Sequence, residues 1–229
     1  MPLTGDSALA SNTTGIENTA NGDNALGYNT TGSYNTANGV SALYRNTTGN
    51  SNTANGSFAP VQNTTASSNT ATECGALGVN TTGFRNTANG SEALSNNYTG
   101  ANNTAEGFQA LFRNNGSNNV GLGFQALYNI GGSNNVGLGF QAGINLPTGS
   151  NNVYIGSGVP GVASESNTTR IRNVYASVAS GRAVYVNSDN KVGTLVSSRR
   201  FKDEIKPMDK ASEAILALKP VTFHYKKGG

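Results

Sequence analysis

The 229-residue chain has no tryptophan, one cysteine, six prolines and only 12% charged residues. A single Cys, Cys74, excludes an intrachain disulfide, and it reads as a tolerated coil position in the least regular part of the chain. No Cys or His cluster has the spacing of a metal site, and Gly121-x-Gly123 and Gly137-x-Gly139 lack the strand, helix and acid of a dinucleotide site, so no metal and no cofactor is expected. No apolar run reaches the length of a membrane span, and no secretory leader is recognisable. Hydrophobic residues make up 35% of the chain, too few for a thick conventional core. Charge is unevenly placed: residues 1–160 carry three Arg against six acids, residues 161–229 twelve bases against six acids. The bases are interspersed with acids and lack a stacking aromatic pattern, so nucleic-acid binding is not expected. Glu73, Glu92 and Glu106 fall in different slots of the period described next, which leaves no carboxylate pair for glycan hydrolysis.

What the chain has instead is a period. A unit Thr-Thr-Gly-x-x-Asn-Thr-Ala-Asn-Gly-x-x-Ala-Leu is complete at Thr13 to Leu26, and Asn18, Asn35, Asn52, Asn69, Asn86 and Asn103 recur every 17 residues. From Val120 the consensus drifts to Asn-Asn-Val-Gly-Leu-Gly-Phe-Gln-Ala, with Asn119, Asn135 and Asn152 at steps of 16 and 17. A fixed short period with one residue type per slot marks a repeat architecture, and strict register distinguishes it from a disordered polar chain. Asn-Gly and Thr-Thr-Gly supply two turns per period, because Gly and Asn accept positive φ cheaply. The segments between them are of strand length and too short for helices.

Seventeen residues at about 3.3 Å each give a contour of ~56 Å, which suits one closed coil of two or three short strands. Coils stacked at about 4.8 Å place equivalent residues above one another. The Asn slot then becomes a ladder and the Ala-Leu slot an apolar column. The Val, Leu, Phe and Ile that enter from Val120 predict better-filled later coils. The Asn-Thr-Ala-x-Gly-x-x-Ala-Leu unit resembles the head repeats of trimeric autotransporter adhesins and the repeats of phage-type tail-fibre proteins. That resemblance implies a β-roll or β-helix that assembles as a homotrimer.

The array breaks at the turn-rich Gly158-Val159-Pro160-Gly161. Beyond it, Thr169 to Ile171, Val174 to Val178 and Ala183 to Val186 alternate like strands, and Asn187 to Asn190 reads as a hairpin turn. Met208, Ala211, Ile215 and Leu218 form one apolar stripe behind the cap Asp209 and before Pro220, which predicts an amphipathic helix needing a partner. Val221 to Tyr225 resumes as strand. The fold class expected is therefore all-β: a repetitive β-solenoid of 17-residue coils, then a short β neck and one C-terminal amphipathic helix.

Ser197-Ser198-Arg199-Arg200-Phe201-Lys202-Asp203-Glu204-Ile205 is the one stretch with chemical potential. A Ser hydroxyl attacks only when a neighbouring base takes its proton, and Lys serves only when burial or nearby positive charge lowers its pKa. Arg199 and Arg200 act in that sense on Lys202, and Asp203 and Glu204 oppose it. A separation of five puts Ser197 and Lys202 on different faces of a regular helix or strand, so they meet only across a turn or a subunit contact. The plain reading is a solvated basic loop. The stretch resembles the start of the self-cleaving intramolecular chaperone domain at the C-termini of endosialidases, tail spikes and fibres. The resemblance implies Ser197 as nucleophile, Lys202 as base, Arg200 as the fixed supporting Arg, and a scissile bond between Val196 and Ser197. His224 is a conceivable helper base, though a structural His on a strand is the simpler reading.

The resulting division is a repeat shaft over 1–158, a β neck over 159–196 and the start of a chaperone domain over 197–229. The leading expectation is a structural and adhesive fibre, a tail fibre or surface adhesin facing the outside on a virion or cell surface. Its expected partners are two further copies and a host-surface glycan or protein receptor, and its enzymology goes no further than one self-cleavage. The alternative is a binding module without catalysis, in which the columns headed by Thr13 and Thr14 order ice or a glycan. Asn-x-Ser/Thr at Asn12, Asn29, Asn46, Asn63 and Asn80 follows from the repeat and says little about glycosylation.

Overall fold

The computed structural model of the chain describes residues 3–60, 62–173, 184–186, 188, 189 and 191–194. The chain divides into two compact units, Met1–Ser177 and Val178–Gly229. The first unit is a parallel β-solenoid. One strand per coil forms a single long sheet of eleven rungs. These begin with β1 (Leu3–Thr4), β2 (Thr19–Asn21), β3 (Thr36–Asn38), β4 (Thr53–Asn55), β5 (Thr70–Thr72), β6 (Thr87–Asn89) and β7 (Thr104–Glu106). Between β7 and the next rung lies β8 (Arg113–Asn114), followed by β9 (Val120–Leu122), β10 (Asn129–Ile130), β11 (Val136–Leu138), β12 (Asn145–Leu146), β13 (Val153–Ile155) and β14 (Thr169–Ile171). β8, β10 and β12 make a second, three-stranded parallel sheet, so only the later coils carry two strands. Ten steps between eleven rungs, at about 4.8 Å each, make a stack of roughly 48 Å.

The register follows the sequence period. Ala20 pairs with Ala37, Ala37 with Ala54 and Ala71 with Ala88, at intervals of 17. Ala105 pairs with Gly121 and Gly121 with Gly137 at 16, without loss of the stack. Each three-residue rung from β2 to β13 shows its middle residue to the interior and its flanks toward the outside, as period-two alternation requires. The core is thus a thin column of Ala20, Ala54, Ala88 and their equivalents, with Leu26, Leu43, Leu77, Leu94 and Leu111 from the Ala-Leu slot, all fully buried.

Two backbone features make the coil this tight. The Gly after Asn has φ near +130° at Gly22, Gly39 and Gly90, and a Cβ there would meet the backbone of the Gly one coil on. Only Gly tolerates both conditions. The Leu of the Ala-Leu pair takes φ of +50° to +52° in every coil where it occurs from Leu26 to Leu127. That conformation is strained for a branched side chain by about 1–2 kcal/mol, and complete burial of the Leu, with its N–H bonded to the Ala carbonyl of the next coil, offsets it. Pro60 occupies this slot once and cannot adopt the conformation; in the next coil Glu73 replaces the turn Gly at φ +76°. This is the coil that holds Cys74, which is exposed.

Two expectations are revised. The apolar residues from Val120 onward fill the later coils only in part, because Val120 and Leu122 flank the inward Gly121 and therefore face out. The interior there is filled by Leu111 and Leu127 leaning over the glycines, by Ile130 and Leu146, and by Tyr154, which is fully buried. Thr169–Ile171, read from the sequence as a neck strand, pairs in parallel with Val153–Ile155 and is a rung of the same stack, past residue 158. In the second unit, β15 (Val184–Val186) and β16 (Val192–Thr194) pair antiparallel, with Val186 opposite Val192. The hairpin expected around Asn187 to Asn190 is therefore present. The helix expected over 208–218 and the strand over 221–225 lie outside the described residues, and no helix occurs among the described ones.

Candidate functional site

Two buried asparagine ladders hold the coils together. In the first, the N–H of Asn35 donates to Oδ1 of Asn18 at 2.9 Å, that of Asn52 to Asn35 at 2.9 Å, and the pattern runs on to Asn152. The second consists of Asn12, Asn29, Asn46, Asn63, Asn80, Asn97 and Asn114, each Nδ2 from Asn29 onward donating to Oδ1 one coil back, as Asn46 does to Asn29 at 2.7 Å. The two ladders converge on one carbonyl per coil: Asn18 and Asn29 both donate to Gly32 O, at 2.7 and 2.9 Å. A buried amide is costly unless bonded, and among the described residues no buried side-chain polar atom lacks a partner. The second ladder ends where Asn119 Nδ2 donates to Oδ1 of Asn114 at 3.0 Å, and Ile130 and Leu146 follow in its column.

The Asn18 column is the ladder expected from the period; the Asn12 column, which also repeats at 17, is a second one that the Thr-Thr-Gly turn beside it masks in the sequence. Asn29, Asn46, Asn63 and Asn80 have no exposed surface, and their Nδ2 atoms are spent on the ladder. Their Asn-x-Thr pattern is thus structural in origin, and a glycan on any of them is incompatible with the stacked coils.

The Thr columns divide in the same way. Thr13, Thr30, Thr47, Thr64 and Thr81 lie in the turns, and each hydroxyl donates to the backbone carbonyl one coil on, as Thr30 Oγ1 does to Thr47 O at 2.9 Å. Thr14, Thr31, Thr48, Thr65 and Thr82 are exposed. A further Thr column, periodic in the sequence but outside the Thr13 and Thr14 array, lies on the outer face of the long sheet at Thr36, Thr53, Thr70 and Thr87, beside Asn38, Asn55 and Asn89. Period-two alternation about the buried Ala was the available signal.

The last described coil is closed by an ionic knot. Glu165 Oε1 accepts the Tyr154 hydroxyl at 2.7 Å and the Val162 N–H at 3.0 Å, while Arg170 Nη2 pairs with Oε2 at 2.7 Å. Glu165 also presents its backbone carbonyl to Asn152 Nδ2 at 2.9 Å, in the position Gly149 fills one coil earlier. Arg170 is the main cause that holds the Glu165 carboxyl down to about 2, with the tyrosyl and backbone donors assisting against burial. Burial, then the bond to Glu165, pushes the Tyr154 phenol well above its ordinary range.

Val196, Ser197, Arg200 and Lys202 lie outside the described residues, as does His224. The nearest described element is β16, which ends at Thr194, two residues before the expected scissile bond. Among the described residues no group of His, Cys, Asp and Glu is placed to hold a metal ion. No helix among them is long and apolar enough to cross a membrane. No curated protein and no solved structure matches the chain. Residues 197–229, which begin at the Ser of the expected cleavage motif, match the family described as chaperone of endosialidase, and their place behind a parallel β-solenoid is that of a tail-fibre-like protein.

Proposed function

We propose that the chain is the shaft and maturation segment of a trimeric, outward-facing fibre. The observation that carries this reading is the chaperone-family match beginning at residue 197, C-terminal in the sequence to a repetitive β-solenoid. A stack in which every rung pairs across 16 or 17 residues folds slowly and exposes sheet edges while incomplete. A segment that gathers three chains in register shortens that exposure, which is the service an intramolecular chaperone supplies. The proposed division is shaft, β neck up to Val196, and chaperone segment from Ser197. Ser197 Oγ attacks the carbonyl carbon of Val196, Lys202 takes the hydroxyl proton and returns it to the leaving amine, and water then releases the Val196 carboxylate. Arg200 supports the arrangement by disfavouring a charged Lys202. Loss of the segment leaves the shaft unable to unfold and refold at equilibrium, hence kinetically stable. Such a fibre belongs on a virion tail or cell surface and contacts a glycan or protein receptor.

The test is intact mass under denaturing conditions for freshly expressed chain, beside Ser197→Ala and Lys202→Met. The expected result is a product ending at Val196 in the first and full-length mass in both variants. Full-length mass throughout sinks the cleavage reading. A second reading, a Thr and Asn array that orders ice or a glycan, draws on the outward Thr36, Thr53, Thr70 and Thr87 of the flat sheet. It requires thermal hysteresis or retention on a polysaccharide column, lost on Thr53→Tyr with Thr70→Tyr.

A further inference from the structure

The outer face of the long sheet changes character along the stack. In the columns that carry Thr and Asn from β2 to β6, the rungs β9, β11 and β13 carry Val, Leu and Ile, and Thr returns at Thr169 in β14. Immediately beside them Phe108, Phe124 and Phe140 stand 43%, 41% and 50% exposed, in a column occupied earlier by Val40, Ser57, Cys74 and Ser91. These rings stack on one another along the axis, Phe108 on Phe124 at 5.5 Å and Phe124 on Phe140 at 5.2 Å, with interplanar angles of 19° and 8°. Ring faces are therefore used within the column and ring edges point outward. That arrangement does not suit a sugar, which stacks on a free ring face. It makes an apolar ridge parallel to the solenoid axis.

The ridge is also pre-ordered. Gln125 Nε2 donates to Gln109 Oε1 at 2.8 Å, Gln141 to Gln125 at 2.9 Å, and Gln109 to Glu92 at 2.7 Å, so the residue after each Phe is bonded to its equivalent in the neighbouring coil. Side chains already fixed lose little entropy on docking. Between Glu106 and Ile171, which is 49% exposed, the columns through Leu138 and Phe124 carry no charge. A contiguous exposed apolar patch on a polar chain marks an interaction surface.

We infer that this ridge is the face by which three copies of the chain pack side by side, in parallel and in register, about the fibre axis. The inference rests on the trimeric reading proposed above and adds which surface makes the contact. Two properties select a second copy as the occupant. Parallel copies at equal height bring each residue against its own equivalent, which an uncharged column permits and a charged one forbids. The ridge also lies in the later coils, toward the segment in the sequence that matches the chaperone family, where alignment of three chains is expected to start. The earlier coils keep Thr and Asn on the same columns and stay solvated.

The decisive measurement combines solution mass with site-directed cross-linking of the full chain. Single cysteines at Phe124→Cys and, on the second sheet, Arg113→Cys are placed in a Cys74→Ser background and treated with a short bis-maleimide. The expected result is a three-chain mass by sedimentation, interchain cross-links at 124 and at least tenfold less at 113. Leu138→Asp, combined with Phe124→Cys, then abolishes the cross-link while the far-UV spectrum is retained. A three-chain mass without cross-linking at 124 overturns the assignment of this face and leaves the trimer standing, the ridge then being covered by the second unit of the chain or by a receptor. A single-chain mass removes the trimeric reading and this inference with it.

Discussion

At the scale of the residue, this fold depends on polar side chains placed where most proteins put hydrophobes. Asn86 is fully buried, and its Oδ1 accepts the Asn103 N–H at 3.0 Å while its Nδ2 reaches Gly100 O at 2.8 Å. Asn86→Leu keeps the heavy-atom branching but orphans the Asn103 N–H, so it is expected to destabilise the shaft by at least about 1–3 kcal/mol in chemical denaturation. Asn→Ser on the exposed Asn118 column is expected to change almost nothing. Glu165 makes a second residue-level prediction. Its carboxyl is held at about 2 in the fold against 4.5 in the free side chain, so its contribution is fully present above pH 4.5 and fades as the pH falls toward 2. Tyr154 acts at the other extreme: with its phenol raised in the fold, its contribution is lost once the pH exceeds that of the ordinary phenol and approaches the raised value. Melting temperature against pH should fall below pH 4.5 in wild type, and Glu165→Gln should flatten that limb.

At the scale of the element, the three-residue strand is the unit, and its middle position decides what the coil can hold. A Cβ built on Gly137 comes within 2.7 Å of Leu127 Cγ and 3.0 Å of the Ala142 carbonyl. Gly137→Ala is therefore expected to lose about 1–3 kcal/mol through overpacking, a cost that Leu127→Ala should partly relieve in a double-mutant cycle. The opposite solution appears in the next coil. There Gly143 stands in the Leu slot, and the Tyr154 ring lies against the space a side chain would need. Large and small residues thus alternate between two slots of one coil. The sequence shows the alternation as Leu111 with Gly121, Leu127 with Gly137 and Gly143 with Tyr154, but not that the partners face each other, since that requires knowing which strand residue turns inward.

At the scale of the whole molecule, each coil contacts only its neighbours, and stability accumulates coil by coil. Removing residues 77–93 joins Ala76 to Leu94 and keeps Asn69 and Asn103 in one ladder, so the shortened shaft should melt cooperatively at a modestly lower temperature. Removing residues 77–85 alone breaks both ladders at the junction. That variant should show two transitions, or lose the strand spectrum on one side of the cut. Calorimetry of the two deletions separates these outcomes.

The period by itself determined a great deal: a β-solenoid, its coil length, the first Asn ladder, the Ala-Leu core and the location of the turns. It could do so because stacking makes sequence spacing equal to spatial coincidence, so that a residue 17 positions on is also the nearest neighbour. The local motif at Ser197 likewise pointed to the family whose model matches residues 197–229, because a resemblance there rests on order and residue type. What only the tertiary structure decided is direction. Whether Val120, Leu122 and Phe124 thicken the core or form an external ridge, and whether Asn29 is a glycan acceptor or a buried rung, depends on the angle at which each side chain leaves a closed coil. That angle is set by turns at positive φ and by the coils above and below, which no single repeat contains.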